Sequence, residues 1–273
     1  MNRFSIFVDG SNLFGSLKKL NLQVTNYESF YHHIFTEGLK MWQTGTALTN
    51  PAHLSSSLLR TFWYVLGSID YIDTNDAKLQ AFFKELFDND REIKRAYMAL
   101  AGQANPGKPQ NEVALEAWRI CFEECKTYFW KKKTQLDGMK KFYHGVRSDT
   151  DFIDIIECGH WKVDFLYKYV AEKGLDTQLA VDIVTQVNFY DVALIISGDA
   201  DSIPSVNYIK RLGKQVGVVE FIKGYPPEKR GKQFSNRLGA ASDFVVQIYE
   251  MDLQKNKIAQ PLKAGEDVIP DIP

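Results

Sequence analysis

Several features are scarce in this sequence, and each absence narrows the possibilities. Cysteine occurs three times in 273 residues, so a framework of structural disulfides is not expected. Apolar runs stay below the ~18 residues that a membrane span needs. The opening MNRFSIFVDG has one basic residue and passes directly into a strand-like stretch, unlike a signal peptide. We therefore expect a cytoplasmic protein that does not enter a membrane.

Strong charge of one sign is also lacking. The net charge is −1, so the chain as a whole is not drawn to a polyanion. A Gly-rich phosphate loop is absent from the sequence, so nucleotide binding by that route is unsupported. The apolar share of 45% is enough for the core of one large α/β domain.

Short apolar runs alternate with helical patterns along most of the chain. We interpret Phe4–Val8, Thr61–Leu66, Asp191–Ser197 and Gln215–Glu220 as strands, because continuous apolar runs suit strands that are buried on both faces. Alternation of strands and helices predicts an α/β fold with a mostly parallel central sheet and helices on both faces.

The domain prediction is a single domain over residues 1–251. A helix-rich stretch at about 75–140 is too long for one connection, and we interpret it as a helical insertion. Residues 252–273, with three prolines, are expected to form a flexible tail.

Other segments give less distinct patterns. Lys140–Tyr143 is expected to form a strand, Asp149–Cys158 an irregular connection, and Asp164–Val187 mostly helix. Asn236–Met251 is predicted to be a helix or a mixture of strand and helix.

Acidic residues follow two of the predicted strands. Asp9 ends the first, and Asp199 and Asp201 follow the DVALIIS strand. Ligands of open α/β sheets bind at the carboxyl ends of strands, so these carboxylates converge if the two strands are neighbours. Asn12 can turn back to the same place. Asp182 lies in an apolar helical stretch, where a carboxylate needs a partner or a metal.

Carboxylates without His or Cys suit Mg²⁺ or Mn²⁺. Such a cation activates water and offsets charge on a phosphate, so the matching chemistry is phosphodiester hydrolysis. Each acid also has an ordinary interpretation. Asp9 could form a turn, Asn12 could cap a helix, and Asp199 and Asp201 could serve as turn or cap residues.

Four motifs together resemble a known family. VDGSNL (Val8–Leu13), KGLDTQLAVDIV (Lys173–Val184), ALIISGDADSIPSV (Ala193–Val206) and GKQVGVVEF (Gly213–Phe221) occur in the order seen in NYN domains. These are PIN-like nuclease domains, and the run at Leu238–Val245 resembles the ending of their LabA-like branch. The resemblance covers the first strand and about 160–248, without the helical stretch.

The resemblance implies a Rossmann-like PIN/NYN fold and metal-dependent ribonuclease activity, most simply endonucleolytic. It places the family's acidic metal ligands on Asp9, Asp182, Asp199 and Asp201, with Asn12 as their polar catalytic companion. Asp176 matches a further frequent acid of the family. Ser202-Ile203 stands where the family usually has Phe or Tyr, which can change the packing of the next helix.

The expected substrate is single-stranded or structured RNA, such as tRNA. Ser11 and Ser197 are candidates to orient a phosphate. An acidic centre needs a basic rim to attract a polyanion. Candidate substrate-binding cations lie in and beside a Gly/Pro/Lys-rich loop: Lys223, Lys229, Arg230, Lys232 and Arg237.

A second basic segment, Lys126–Arg147, carries seven cations along with Phe129, Trp130 and Tyr143. Its aromatic side chains could stack on unpaired bases, and a solvated helix face is an equally good interpretation of its KKK run.

Three alternatives remain open. Cys121, Cys125, Cys158 and His160 could bind zinc, although core cysteines and a surface histidine explain them more simply. The same crevice could serve a non-cleaving RNA-binding or regulatory protein. The helical insertion could select a substrate, dock a protein partner or form a homo-oligomer surface.

Overall fold

A computed structural model describes residues 2–45, 55–226 and 236–263. The strands are β1 Asn2–Asp9, β2 Leu22–Val24, β3 Ser56–Ile69, β4 Ile153–Asp164, β5 Tyr169–Lys173, β6 Val192–Ile196, β7 Gln215–Ile222, β8 Phe244–Tyr249 and β9 Ala259–Pro261. The helices are α1 Gly10–Leu20, α2 Tyr27–Gly45, α3 Ala77–Asn89, α4 Arg91–Ala104, α5 Gln110–Asp149, α6 Leu175–Thr185, α7 Ile203–Arg211, α8 Asn236–Ala241 and α9 Glu250–Lys255.

Seven strands form a mostly parallel sheet in the order β5-β4-β3-β1-β6-β7-β8. β1 pairs in parallel with β3 and β6, and the pairs β6–β7 and β7–β8 are also parallel. β5 is antiparallel to β4. The predicted Rossmann-like α/β fold and its four strands are therefore confirmed, because three of the apolar runs lie inside β1, β3 and β7 and the fourth, Asp191–Ser197, contains β6.

The chain divides into two compact units. The first comprises Met1–Gly67, Gly138–Gly159 and Gly174–Pro273, and the second comprises Ser68–Asp137 and His160–Lys173. β3, β4 and α5 each contribute residues to both units.

Both faces of the sheet are covered in the first unit. On one face Phe4, Ile6 and Val8 pack with the apolar side chains of α1 and α2. On the other face Phe7 and Ile195 pack with those of α6 and α7. Burial of alternate β1 side chains on opposite faces explains why its sequence is a continuous apolar run.

The second unit has a core of its own, in which Phe83, Phe87, Phe122 and Phe165 are buried together. The stretch at about 75–140, interpreted from the sequence as a helical insertion, is occupied by α3, α4 and the first part of α5.

Three local predictions are wrong. Lys140–Tyr143 belongs to α5, because Leu136, Tyr143 and Val146 continue a buried stripe at helical spacing. Asp149–Cys158 contains the start of β4.

Asp164–Val187 is helical only from Leu175. For Asp149–Cys158, the signal that was missed is a period of two in β4, where Ile153, Ile155 and Trp161 are buried. Asn236–Met251 contains α8, β8 and the start of α9, in agreement with the predicted mixture.

The predicted tail contains ordered elements. α9 ends at Lys255, and β9 pairs antiparallel with β2. Leu253 and Ile258 are buried, which explains why this segment is held in place. Residues 264–273 of the predicted tail lie outside the described residues. Among the described helices, none has the length and apolar character required to cross a membrane.

Candidate active site

The two acidic strand ends are neighbours. Val8 of β1 is in register with Ile196 of β6, so Asp9 and the Ser197–Asp201 turn leave the sheet at one edge. The expectation that these strands lie side by side is confirmed, and their carboxyl ends form the crevice that open α/β sheets use for ligands.

Gly10 allows the chain to turn immediately after Asp9. A Cβ atom at this position would lie 2.6 Å from the backbone oxygen of Tyr64, a separation that real Cβ atoms do not tolerate. The strand can therefore pass into α1 beside β3 only because residue 10 has no side chain.

Asp9 is held firmly at the first turn of α1. Its side chain accepts a hydrogen bond from the Asn12 backbone N–H at 3.0 Å, and a second from the Asn12 side-chain amide. Asp9 is 3% exposed, and this burial raises its pKa against the lowering effect of the Asn12 bonds. Asp9 is thus the N-cap of α1, a role that the sequence analysis offered for Asn12.

Asp176 joins the cluster from the first turn of α6. Partial burial, and then the charges of Asp9 and Asp199, raise the pKa of its carboxyl to about 6. A hydrogen bond to Asp9 and the charge of Asp201 act in the same direction. Because Asp176 is exposed to solvent, the neighbouring carboxylates contribute more to its raised pKa than burial does.

The turn after β6 is organised by its own polar groups. Asp199 accepts a hydrogen bond from the Asp201 backbone N–H at 2.9 Å, and its own N–H donates to Ser197 Oγ at 3.1 Å. Ser202 Oγ donates to the Asp199 carbonyl at 2.9 Å. Ser197 is buried, whereas Asp201 is exposed. Asp199 is thus held in place and Asp201 lies at the rim.

Asp182 lies on a different part of α6. It accepts a hydrogen bond from Gln178 Nε2 at 3.0 Å, and its charge, after burial, raises the pKa of Tyr64. Six residues separate it from Asp176, which is ~9 Å along a helix and more than a quarter turn around it. Asp9, Asp199 and Asp201 thus act on Asp176, whereas Asp182 interacts with Gln178 and Tyr64.

Strand-end reasoning does not include Asp176, because this residue lies in the first turn of a helix rather than at the end of a strand. Its signal in the sequence is the KGLD motif. Gly174 adopts a positive φ of 94° before the helix, and α6 then begins with Asp176 in its first turn.

The candidate substrate-binding residues are only partly described. Ser11 is exposed, and its backbone N–H donates to Asp9. Lys223 and Arg237 are exposed. Lys229, Arg230 and Lys232 lie outside the described residues.

The chemistry of the carboxylate cluster fits a hard divalent cation, because all of its donors are oxygens. The carboxylate charges repel one another, and a cation would reduce this repulsion. In the described part of the chain, however, no three His, Cys, Asp or Glu side chains are arranged to hold one ion.

The zinc alternative receives no support from the described residues. The Cys121 and Cys125 sulfurs are buried 4.0 Å apart. The two ring nitrogens of His160 lie 2.9 Å from Ser68 Oγ and 2.8 Å from Asp70 Oδ1. The histidine is therefore already engaged on both sides.

Comparison with known proteins gives one family match. Residues 130–246, less than half of the chain, match the family model of the NYN domain. No curated protein matches significantly.

A solved structure of a protein of unknown function from Vibrio parahaemolyticus RIMD 2210633 is similar at 14% identity and a TM-score of 0.40, over 90% of this chain and 93% of that one. At this similarity it carries no argument. The range matched by the NYN family model includes Asp176, Asp182, Asp199 and Asp201 and begins after Asp9.

Proposed function

We propose that this chain, which carries an NYN domain over residues 130–246, is a metal-dependent endoribonuclease that hydrolyses RNA phosphodiester bonds at the carboxyl edge of its sheet. NYN domains form a PIN-like ribonuclease family, and the finer assignment rests on the acidic cluster. The main support for this proposal is the electrostatic effect of Asp9, Asp199 and Asp201 on Asp176, since these residues come from separate stretches of the chain.

Four carboxylates facing a polyanion would weaken a simple binding site. Phosphate contacts in nucleic-acid sites come from cations, N–H groups and hydroxyls, and adjacent carboxylates repel the same phosphates. Carboxylates among Asp9, Asp176 and Asp199, together with water ligands, would hold a Mg²⁺ or Mn²⁺ ion. Such an ion would supply a more acidic water and would offset charge on the phosphate.

The other polar groups position this cluster. Asn12 fixes both carboxylate oxygens of Asp9 through its backbone and side-chain N–H groups. Asp201 is exposed at the rim, where its carboxylate can orient the attacking water through a hydrogen bond. In this proposal Asp182 supports the packing of α6 near Tyr64.

The substitution Asp199→Asn tests the proposal. Asparagine is as good a cap as aspartate, so the turn that accepts the Asp201 N–H should persist. We expect the wild-type protein to cut total RNA with Mg²⁺ or Mn²⁺ but not with EDTA, and the variant to lose this activity. Mapping of the new RNA ends reports the cut positions.

Asp137→Asn is the matched control, because it removes one exposed carboxylate on α5 and should leave cleavage unchanged. An Asp199→Asn protein as active as the wild type would contradict the assignment. Tight RNA binding without cleavage under any metal condition would favour the non-cleaving alternative.

A further inference from the structure

A lysine–aromatic surface lies on α5 within the second unit. We define it as Lys126, Tyr128, Trp130, Lys131, Lys132 and Lys133. The eight residues Lys126–Lys133 include four lysines and no acidic residue. A local charge this strong stands out in a chain with a net charge of −1.

The lysines of this surface are not neutralised within the described residues. Lys126, Lys131, Lys132 and Lys133 make no ion pair there, and Lys132 donates only to the amide of Gln135, at 3.2 Å. Other lysines of the unit behave differently. Lys168 Nζ lies 2.8 Å from Glu124, and Lys94 Nζ lies 2.9 Å from Asp88.

Aromatic rings lie among these ammonium groups. Trp130 is 45% exposed, and the Lys133 ammonium lies 4.7 Å from its ring centre. Lys132 Nζ is 5.1 Å from the ring of Trp161 and 5.9 Å from that of Tyr128. Phe129, on the opposite side of the helix, is buried in the core and fixes the rotation of this face.

A groove of about 550 Å³ continues the surface along the same helix. Thr127, Tyr128 and Lys131 border it. It also includes Glu124, whose charge is matched by Lys168, and Glu123, which makes no ion pair among the described residues. α5 therefore carries lysines without ion-pair partners among the described residues, the exposed indole ring of Trp130 and a neighbouring groove.

We propose that the lysine–aromatic surface binds single-stranded RNA, with the lysines on phosphates and Trp130 and Tyr128 on unpaired bases. Cations that track a backbone and aromatic rings that stack on bases are the two components of sequence-tolerant binding to single strands. A duplex keeps its bases stacked inside and would leave the rings unused. The inference rests on the proposed function for its substrate class, but it does not require cleavage.

Fluorescence anisotropy with a labelled oligouridine of about 15 nucleotides tests the surface. The protein is the full chain with Asp199→Asn, in EDTA, so that binding is measured without cleavage. Adding Trp130→Ala should weaken binding by about 10-fold, because base stacking on one aromatic side chain contributes this order of affinity. Circular dichroism should show unchanged helix content.

The triple variant Lys131→Gln, Lys132→Gln, Lys133→Gln should lower the slope of log affinity against log salt by about 2, since each phosphate contact contributes ~0.7 for single strands. The matched control is Lys78→Gln, Arg91→Gln, Arg95→Gln, which makes the same charge change at exposed cations of α3 and α4. This control should bind as the parent does.

The inference is overturned if the two triple variants lose affinity equally. It is also overturned if Trp130→Ala has no effect while a duplex, an acidic peptide or anionic vesicles bind as tightly as oligouridine. Cleavage of RNA by the otherwise wild-type chain with Mg²⁺ tests the proposed function separately. Binding at this surface without cleavage would support the inference and contradict the proposed function. Cleavage without binding at this surface would do the reverse.

Discussion

The side chains of Asp176 and Asp9 interact where α6 begins and β1 ends. The interaction acts to raise the pKa of Asp176 and to lower that of Asp9. It connects the start of α6 with the end of β1, and we expect Asp176 rather than Asp182 to act in the proposed site.

Asp176 and Asp182 can therefore be separated by experiment. We expect Asp176→Asn to lower RNA cleavage by on the order of 100-fold, as loss of a metal ligand or its support does. Asp182→Asn keeps the acceptor for Gln178 and should change the rate little. Both rates are measured with the same RNA in Mg²⁺, and equal losses would contradict the placement of Asp182 outside the cluster.

Divalent cations should stabilise the folded protein. A cation that binds only the native state raises the free energy of unfolding, by about 2.7 kcal/mol at a concentration 100 times its Kd. We expect Mg²⁺ or Mn²⁺ to raise the melting temperature of the wild type and to leave Asp199→Asn nearly unaffected. KCl at matched ionic strength is the control, and an equal rise in both proteins would argue against a cation at the cluster.

Gly10 and Gly15 form a matched pair on α1. Gly10→Ala would place a Cβ atom 2.6 Å from the Tyr64 carbonyl oxygen, and overpacking of this kind costs about 1–3 kcal/mol. Gly15 has open space around its Cβ position, so Gly15→Ala should stabilise the helix by up to about 1 kcal/mol. Urea unfolding of both variants measures the difference, and a Gly10→Ala protein as stable as the wild type would show that the strand can move.

The Arg3–Asp191 pair should give a pH-dependent contribution to stability. Arg3 donates to Asp191 from its backbone N–H and from its guanidinium, at 2.9 to 3.1 Å. These bonds lower the pKa of Asp191 to about 2. Because the folded-state pKa lies below the ordinary value of about 3.9, the contribution is present above about pH 4 and is lost as the pH falls towards 2.

A double-mutant cycle measures this contribution. Asp191→Asn and Arg3→Gln should each lower the urea midpoint at pH 7, and the coupling between them should shrink when the cycle is repeated at pH 3. A coupling of the same size at both pH values would show that the interaction does not depend on the charge of Asp191.

Features that depend on local pattern could be predicted from the amino-acid order alone. Buried parallel strands are continuous apolar runs, so β1, β6 and β7 were predictable, and acids that directly follow such strands must lie at the carboxyl edge of the sheet. Lys140–Tyr143 and the segment before Leu175 were predicted wrongly, because a few apolar residues fit a period of two and a period of 3.6 almost equally well.

Which side chain of α6 interacts with Asp9 became clear only from the three-dimensional packing. Sequence spacing places Asp176 and Asp182 on the same helix, but the side that faces the crevice depends on how α6 packs against β1 through Leu175, Leu179 and Ile183. The same holds for β9, whose pairing with β2 joins residues more than 230 positions apart. Contacts of this range depend on the complete core, so a local pattern cannot specify them.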